Sequence, residues 1–203
     1  MKGAGGSILQ VSKTKIPGVL LIRPQVHEDT RGFFFESYHQ AKLAEASIRE
    51  GFVQDNHSKS CKNTLRGLHY QLKHPQAKLC RVVQGEVLDV AVDIRRGSPY
   101  FGQWVSATLS AANKQQILVP RGFAHGFVVL SETAEFLYKC SDFYYPEDEH
   151  GVLWSDPELA IAWNVAEPLL SVRDRAYAPL GKIALELLPS YQAVAPGLTV
   201  SDA

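Results

Sequence analysis

Leu79-Cys80-Arg81-Val82-Val83-Gln84-Gly85-Glu86-Val87-Leu88-Asp89-Val90-Ala91-Val92-Asp93-Ile94 is a pair of β-rich runs, Leu79 to Val83 and Glu86 to Ile94, set on either side of Gln-Gly. Branched residues dominate both runs, and a glycine able to take positive φ sits between them, so the stretch predicts two strands joined by a tight hairpin. Similar runs extend in both directions. Gly18 to Ile22 is apolar between two prolines, and Phe33 to Glu36 follows the turn signal Asp29-Thr30-Arg31-Gly32. Gly102 to Leu109, Gln116 to Val119, Gly126 to Leu130 and Ala134 to Ser141 continue the series, broken by Gly97-Ser98-Pro99, Pro120-Arg121-Gly122 and Ser131-Glu132. So many short strands at this spacing predict a mainly β fold, a sandwich or jelly roll. Between Tyr38 and Glu50 the apolar residues fall without strand alternation, which predicts a short helix stopped by Gly51; a further helix is expected near Lys182 to Leu188. No internal repeat is present.

Composition narrows the function classes. Of 203 residues, 45% are hydrophobic and 21% charged, which suits one globular domain with a full core. Lys plus Arg and Asp plus Glu both number 21, so nothing global favours a nucleic-acid or membrane partner, and an anionic ligand would have to be met by a pocket. The glycine-rich start, Met1 to Ser7, carries no apolar run of signal-peptide or membrane length, so the expected compartment is the cytoplasm. Cys61, Cys80 and Cys140 lack any C-x-x-C spacing and read as free, mostly buried thiols.

Two stretches carry chemistry. Leu65-Arg66-Gly67-Leu68-His69-Tyr70-Gln71 resembles half of a small-barrel site in which a second histidine would stand two residues after the first; here that position is Gln71. Neither that histidine nor the downstream glutamate of a metal set is present, so the imidazole suits proton transfer better than metal binding. On a regular strand, Arg66 and His69 point to opposite faces; both reach one site only if Gly67 marks a bulge or a strand start. Pro120-Arg121-Gly122-Phe123-Ala124-His125-Gly126 has the P-x-G-x-x-H spacing of a second cupin motif, aiming His125 inward.

Further motifs extend the pattern along the chain: Asp29 to Tyr38, Phe52-Val53-Gln54-Asp55-Asn56-His57-Ser58, Val90 to Pro99, Phe101-Gly102-Gln103-Trp104, Glu135-Phe136-Leu137-Tyr138-Lys139 and Trp154 to Leu159. Taken in order from about Pro17 to Asp174, they resemble the dTDP-4-dehydrorhamnose 3,5-epimerase family of cupin-like sugar epimerases. The resemblance implies a jelly-roll homodimer without a metal or other cofactor. It also implies a dTDP-4-keto-6-deoxyhexose substrate, epimerised at C3 and C5 on the route to dTDP-L-rhamnose. The whole chain, 1–203, is then one such domain, with N-terminal strands exchanged with the dimer partner and a tail of unassigned role from 190 to 203.

Carried onto this chain, the family pattern makes His69 the base, Asp174 its orienting carboxylate, Tyr138 the acid, and Lys78 a cation for the enolate oxygen. Those residue types suit proton transfer, since an imidazole titrates near neutrality and a phenol is protonated there yet can give up its proton. The binding cleft is implied to comprise Arg31, Glu36, Gln54, Asn56, Arg66, Lys78, His125, Tyr144, Glu149 and Arg173, with Arg31 and Glu36 reaching it from the partner. Arginine forks suit a diphosphate that no glycine-rich loop here would hold, Gln54 and Asn56 would share a strand face suited to a pyrimidine edge, and Tyr144 could stack on the base.

The chain departs from the family pattern at Arg173, where the family usually has lysine, in the segment Ala162 to Glu167, and after Tyr191. Alternatives from the same residues are a single-centre 3- or 5-epimerase, a non-catalytic sugar-binding cupin needing no acid opposite His69, and, least favoured, a metal-dependent oxygenase.

Overall fold

The computed structural model describes residues 9–191, so the start and the tail beyond Tyr191 lie outside the described residues. In chain order the elements are β1 (Leu9–Lys13), β2 (Leu20–Pro24), β3 (His27–Asp29), β4 (Gly32–Phe34), α1 (Gln40–Glu45), β5 (Gln54–Cys61) and β6 (Leu65–Gln71). Then follow β7 (Lys78–Gln84), β8 (Glu86–Asp93), β9 (Trp104–Ser110), β10 (Gln116–Val119), β11 (Phe123–Val129), β12 (Thr133–Cys140), β13 (Glu149–Gly151) and α2 (Val172–Ala176). The strands form a six-stranded sheet ordered β1-β2-β10-β7-β12-β5, a five-stranded sheet ordered β13-β6-β11-β8-β9, and the small β3-β4 hairpin. From β5 to β13 the chain changes sheet at nearly every step, which is the winding of a cupin-type jelly roll.

That winding corrects the expected hairpin. β7 and β8 have the predicted extents almost to the residue, but β7 pairs with β10 and β12 whereas β8 pairs with β9 and β11. Gly85 does take a positive φ, of 75°, yet it makes a corner between sheets. A Cβ there would lie 2.0 Å from the Thr133 carbonyl oxygen, and the corner is tied down by the Glu86 amide donating to Ser131 Oγ at 2.8 Å and the Ala111 amide donating to the Gly85 carbonyl at 3.0 Å. A glycine turn between two apolar runs is compatible with either geometry; the packing of the two sheets decides for the corner.

Three apolar clusters show this. One lies between the sheets and includes Val82, Val87, Ala91, Leu109, Ile117, Phe127 and Phe136. A second lies behind the five-stranded sheet, where Leu88, Val90, Val92 and Val128 are covered by Val152, Leu159, Trp163, Leu180 and Leu188 of the C-terminal segment. A third lies behind the six-stranded sheet, where Leu20, Ile22, Leu79 and Leu118 are covered by Leu43 and Ile48. A sheet covered on both faces needs no polar alternation, so β8 and β11 are buried along almost their whole length, their apolar runs interrupted by Asp89 and His125.

The helices differ from expectation. α1 is where predicted, capped by His39, but it stops before Gly51 because Ser47 turns to a φ of 63°. In place of an α-helix over Lys182 to Leu188 there is a short 3₁₀ turn, Leu185–Leu187, preceded by another, Leu180–Lys182. Among the described residues no helix is long and apolar enough to cross a membrane. The cysteines are free, with Cys80 and Cys140 buried and Cys61 exposed.

Candidate active site

A cavity of about 430 Å³ opens between the two sheets, lined from β6 and β11 on one wall and from β5, β7 and β12 on the other. His69 stands on the first wall, Lys78 and Tyr138 on the second. Arg66 shares the cavity with His69, and the bulge that this requires is present. His125 pairs with His69 and Phe127 with Arg66, so one residue of β11, Gly126, lies opposite two of β6, Gly67 and Leu68. Gly67 sits at that shift with φ of 118°, and a Cβ there would meet Gly126 Cα at 2.6 Å. Only glycine accepts both the conformation and the close approach.

The His69 imidazole is held between two carboxylates. Its Nε2 lies 2.6 Å from Asp174 Oδ1 and its Nδ1 3.6 Å from Glu149 Oε1. Asp174 arrives on α2, a helix with too few residues to show a periodicity; its one visible signal is Ser171, whose Oγ accepts the Asp174 amide at 3.0 Å. Glu149 is in turn held by the Tyr144 hydroxyl, which donates at 2.8 Å, and by an ion pair with Arg173. Opposite, burial pushes the Tyr138 phenol well above its usual range, with Cys140, Cys80 and Glu149 adding to the shift and Arg66 opposing it, so it keeps its proton at neutral pH. Lys78 Nζ lies 5.8 Å from the centre of the Tyr138 ring. The floor beneath is aromatic: Phe127 stacks on Phe136 at 4.1 Å, and Phe136 lies 5.9 Å from Tyr138.

Gln54 and Asn56 share a face of β5, as expected, and are joined by a 3.1 Å hydrogen bond from Gln54 Nε2 to Asn56 Oδ1. Tyr144 is exposed at the mouth, its amide donating to Gln54 Oε1 at 2.9 Å. His125 also reaches the cavity, but its Nε2 is engaged by Asp89, with both carboxylate oxygens at 3.0 Å. Two expected cleft residues are elsewhere. Arg31 is exposed and ion-paired with Asp29, and Glu36 lines a separate cavity of about 290 Å³ beside α1, ion-paired with Lys42.

Sequence reasoning misses two supports of the site. Asp89 is an inward-facing carboxylate among Val87 and Ala91, a placement that demands a buried partner. Gln71, legible in the sequence only as the absent metal ligand, staples the loop carrying Tyr144. Its amide donates to the carbonyls of His74 at 2.7 Å and Phe143 at 3.1 Å and accepts from the Tyr145 amide at 2.8 Å.

Comparison with known proteins agrees with this geometry. The dTDP-4-dehydrorhamnose 3,5-epimerase family model matches residues 13–182. The enzyme of that name from Pseudomonas aeruginosa is 57% identical over 169 residues, covering 82% of this chain and 93% of its own. The dTDP-6-deoxy-D-glucose-3,5-epimerase of Legionella pneumophila, crystallised with dTDP-4-keto-L-rhamnose, superposes with a TM-score of 0.88 at 50% identity, covering 91% of this chain and 99% of its own. A 4-keto-6-deoxy sugar epimerase from the novobiocin gene cluster of Streptomyces spheroides superposes equally well, with a TM-score of 0.88 at 37% identity, covering 96% and 100%. With a family model spanning most of the chain, and an imidazole facing a phenol across a jelly-roll cavity, the chain belongs to the dTDP-4-dehydrorhamnose 3,5-epimerase family.

Proposed function

We propose that the protein is an isomerase that inverts C3 and C5 of dTDP-4-dehydro-6-deoxy-D-glucose, giving dTDP-4-dehydro-L-rhamnose for dTDP-L-rhamnose synthesis. The C4 ketone acidifies both neighbouring C–H bonds, so each inversion needs a base on one face of the sugar, an acid on the other, and positive charge at the enolate oxygen. The observation that carries the reading is the placement of His69 and Tyr138 on walls from different sheets of one cavity. His69 takes the proton on the nitrogen that Asp174 does not hold, and Asp174 stabilises the resulting imidazolium. Tyr138, kept protonated by its burial, returns a proton to the opposite face. Lys78 stands by the enolate oxygen.

The nucleotide is met by side chains. Arg66 and Arg173 face the diphosphate, Gln54 and Asn56 the pyrimidine edge, Tyr144 the base plane, and His125 and Glu149 complete the cleft. Arg31 and Glu36 act from a second copy in a homodimer, with the chain as one jelly-roll domain exchanging its N-terminal strands. Two features support this: both residues lie outside the cavity of their own protomer, and the β3-β4 hairpin, which carries Arg31 in its turn, exposes Phe33 and Phe34 at 60% and 69%, a patch that suits an interface.

Proton NMR of the product formed from the keto sugar tests the reading. Inversion at both carbons is expected; inversion at one carbon moves the protein to the single-centre epimerases. Tyr138→Phe is expected to lower turnover by about 10² to 10⁴, and full turnover in that variant would remove the acid assignment and favour a sugar-binding cupin.

A further inference from the structure

Tyr177 lies outside the set that lines the cavity, yet it touches the proposed base. It is the residue that ends α2, the helix that delivers Asp174, and its ring stands edge-on to the His69 imidazole, with centroids 5.8 Å apart and planes at 71°. The space it fills is one that another strand has vacated. Gly151 of β13 is the cross-strand partner of His69, and a Cβ at Gly151 would lie 2.3 to 2.5 Å from three atoms of the Tyr177 ring. The following residues close the arrangement, with the Leu153 amide donating to the Ala178 carbonyl at 2.9 Å. The Tyr177 hydroxyl, by contrast, is buried without a hydrogen-bond partner among the described residues. Its proton is firmly held, since burial and the Glu149 carboxylate push the phenol up to about 12.

We infer that Tyr177 is a positioning residue whose ring, not its hydroxyl, fixes the tilt of His69 against Asp174. Asp174 and Glu149 address the two nitrogens, which lie in the plane of the imidazole, so they restrain where the ring sits far more than how it leans. A packed aromatic edge restrains the lean. Proton abstraction from carbon demands an aligned lone pair, and a base displaced by about 1 Å loses on the order of 10² in rate. Gly151 is the complement of this device: it leaves the room through which the ring reaches His69.

The inference rests on the proposed epimerase activity, and the test separates the two. If the wild-type protein does not turn over the keto sugar, the activity reading fails and Tyr177 is not at issue. With wild-type turnover in hand, Tyr177→Ala is expected to lower kcat about tenfold or more with KM within about twofold. Tyr177→Phe is expected to retain wild-type kcat with an equal or higher Tm, because an unpartnered buried hydroxyl has been removed. Gly151→Ala should lower kcat by pushing the ring aside, and should cost less than about twofold when placed in the Tyr177→Ala background, where there is no ring to strike. Three results overturn the inference: wild-type kcat in Tyr177→Ala, equal losses in the Phe and Ala variants, or the same cost for Gly151→Ala in both backgrounds. Should Tyr177→Ala fold poorly, Gly151→Ala alone decides: a lowered kcat supports the inference and a wild-type kcat overturns it.

Discussion

His69 and His125 face one another on adjacent strands of the same sheet, each bonded to a carboxylate, and they differ in what surrounds the pair. The His69 side chain is 26% exposed and Asp174 only 5%, so water and a ligand can reach the imidazole from one side. His125 and Asp89 are 7% and 0% exposed, with Cys80 Sγ 3.9 Å from the same nitrogen that Asp89 engages. In a metal-binding cupin two such histidines would converge on one ion. Here each ring is turned to its own acid. One pair is open to the cavity, and the other is buried where β8 meets β11. Since Nε2 is the engaged nitrogen in both pairs, solvent access is what separates them.

That contrast can be broken by substitution. His69→Ala should give the largest effect, a fall in turnover of about 10² to 10⁴, equivalent to roughly 3 to 5.5 kcal/mol of barrier. Its denaturant-unfolding free energy should change by less than about 1 kcal/mol, because cavity water can solvate Asp174. Asp89→Ala should reverse the pattern, costing about 3 to 5 kcal/mol of stability in a denaturant melt, since it strands His125 in the core. A loss under about 1 kcal/mol would erase the distinction between the pairs.

Lys78→Ala sharpens the account of the catalytic wall. Removing one preorganised donor at a developing oxyanion should raise the barrier by about 2.7 to 4 kcal/mol, read as kcat with little change in KM. The smallest effect is expected of Gly67→Ala, which puts a side chain at φ of 118° against Gly126. Thermal unfolding should show a loss on the order of 1 to 3 kcal/mol, and turnover should fall as Arg66 and His69 lose their common face.

How much of this is legible in the residues follows from the range over which each feature acts. The extents of β7, β8, β10 and β12 are readable because branched and aromatic runs make a local signal. The partners of β7 and β8 are not, because Gly85 permits a hairpin or a corner, and the choice depends on layers contributed by Leu159, Trp163 and Leu188 far along the chain. The bulge at Gly67 is legible as a condition, since the spacing of Arg66 and His69 requires it for a shared site, and the structure meets that condition. Motifs locate His69, Tyr138, Lys78 and Asp174, and the cavity brings all four together. Asp89 and Tyr177 escape because each acts through one tertiary contact that leaves no periodicity or spacing behind. Arg31 and Glu36 are the instructive pair: their motif is present, yet the cavity does not contain them.

If His69 removes the protons at C3 and C5, as proposed, deuterium from heavy water must enter the keto sugar at both positions through that residue. Deuterium is expected at both carbons with the wild-type protein and only at the uncatalysed background with His69→Ala. Exchange at a single carbon, or exchange at the wild-type rate in His69→Ala, would contradict it.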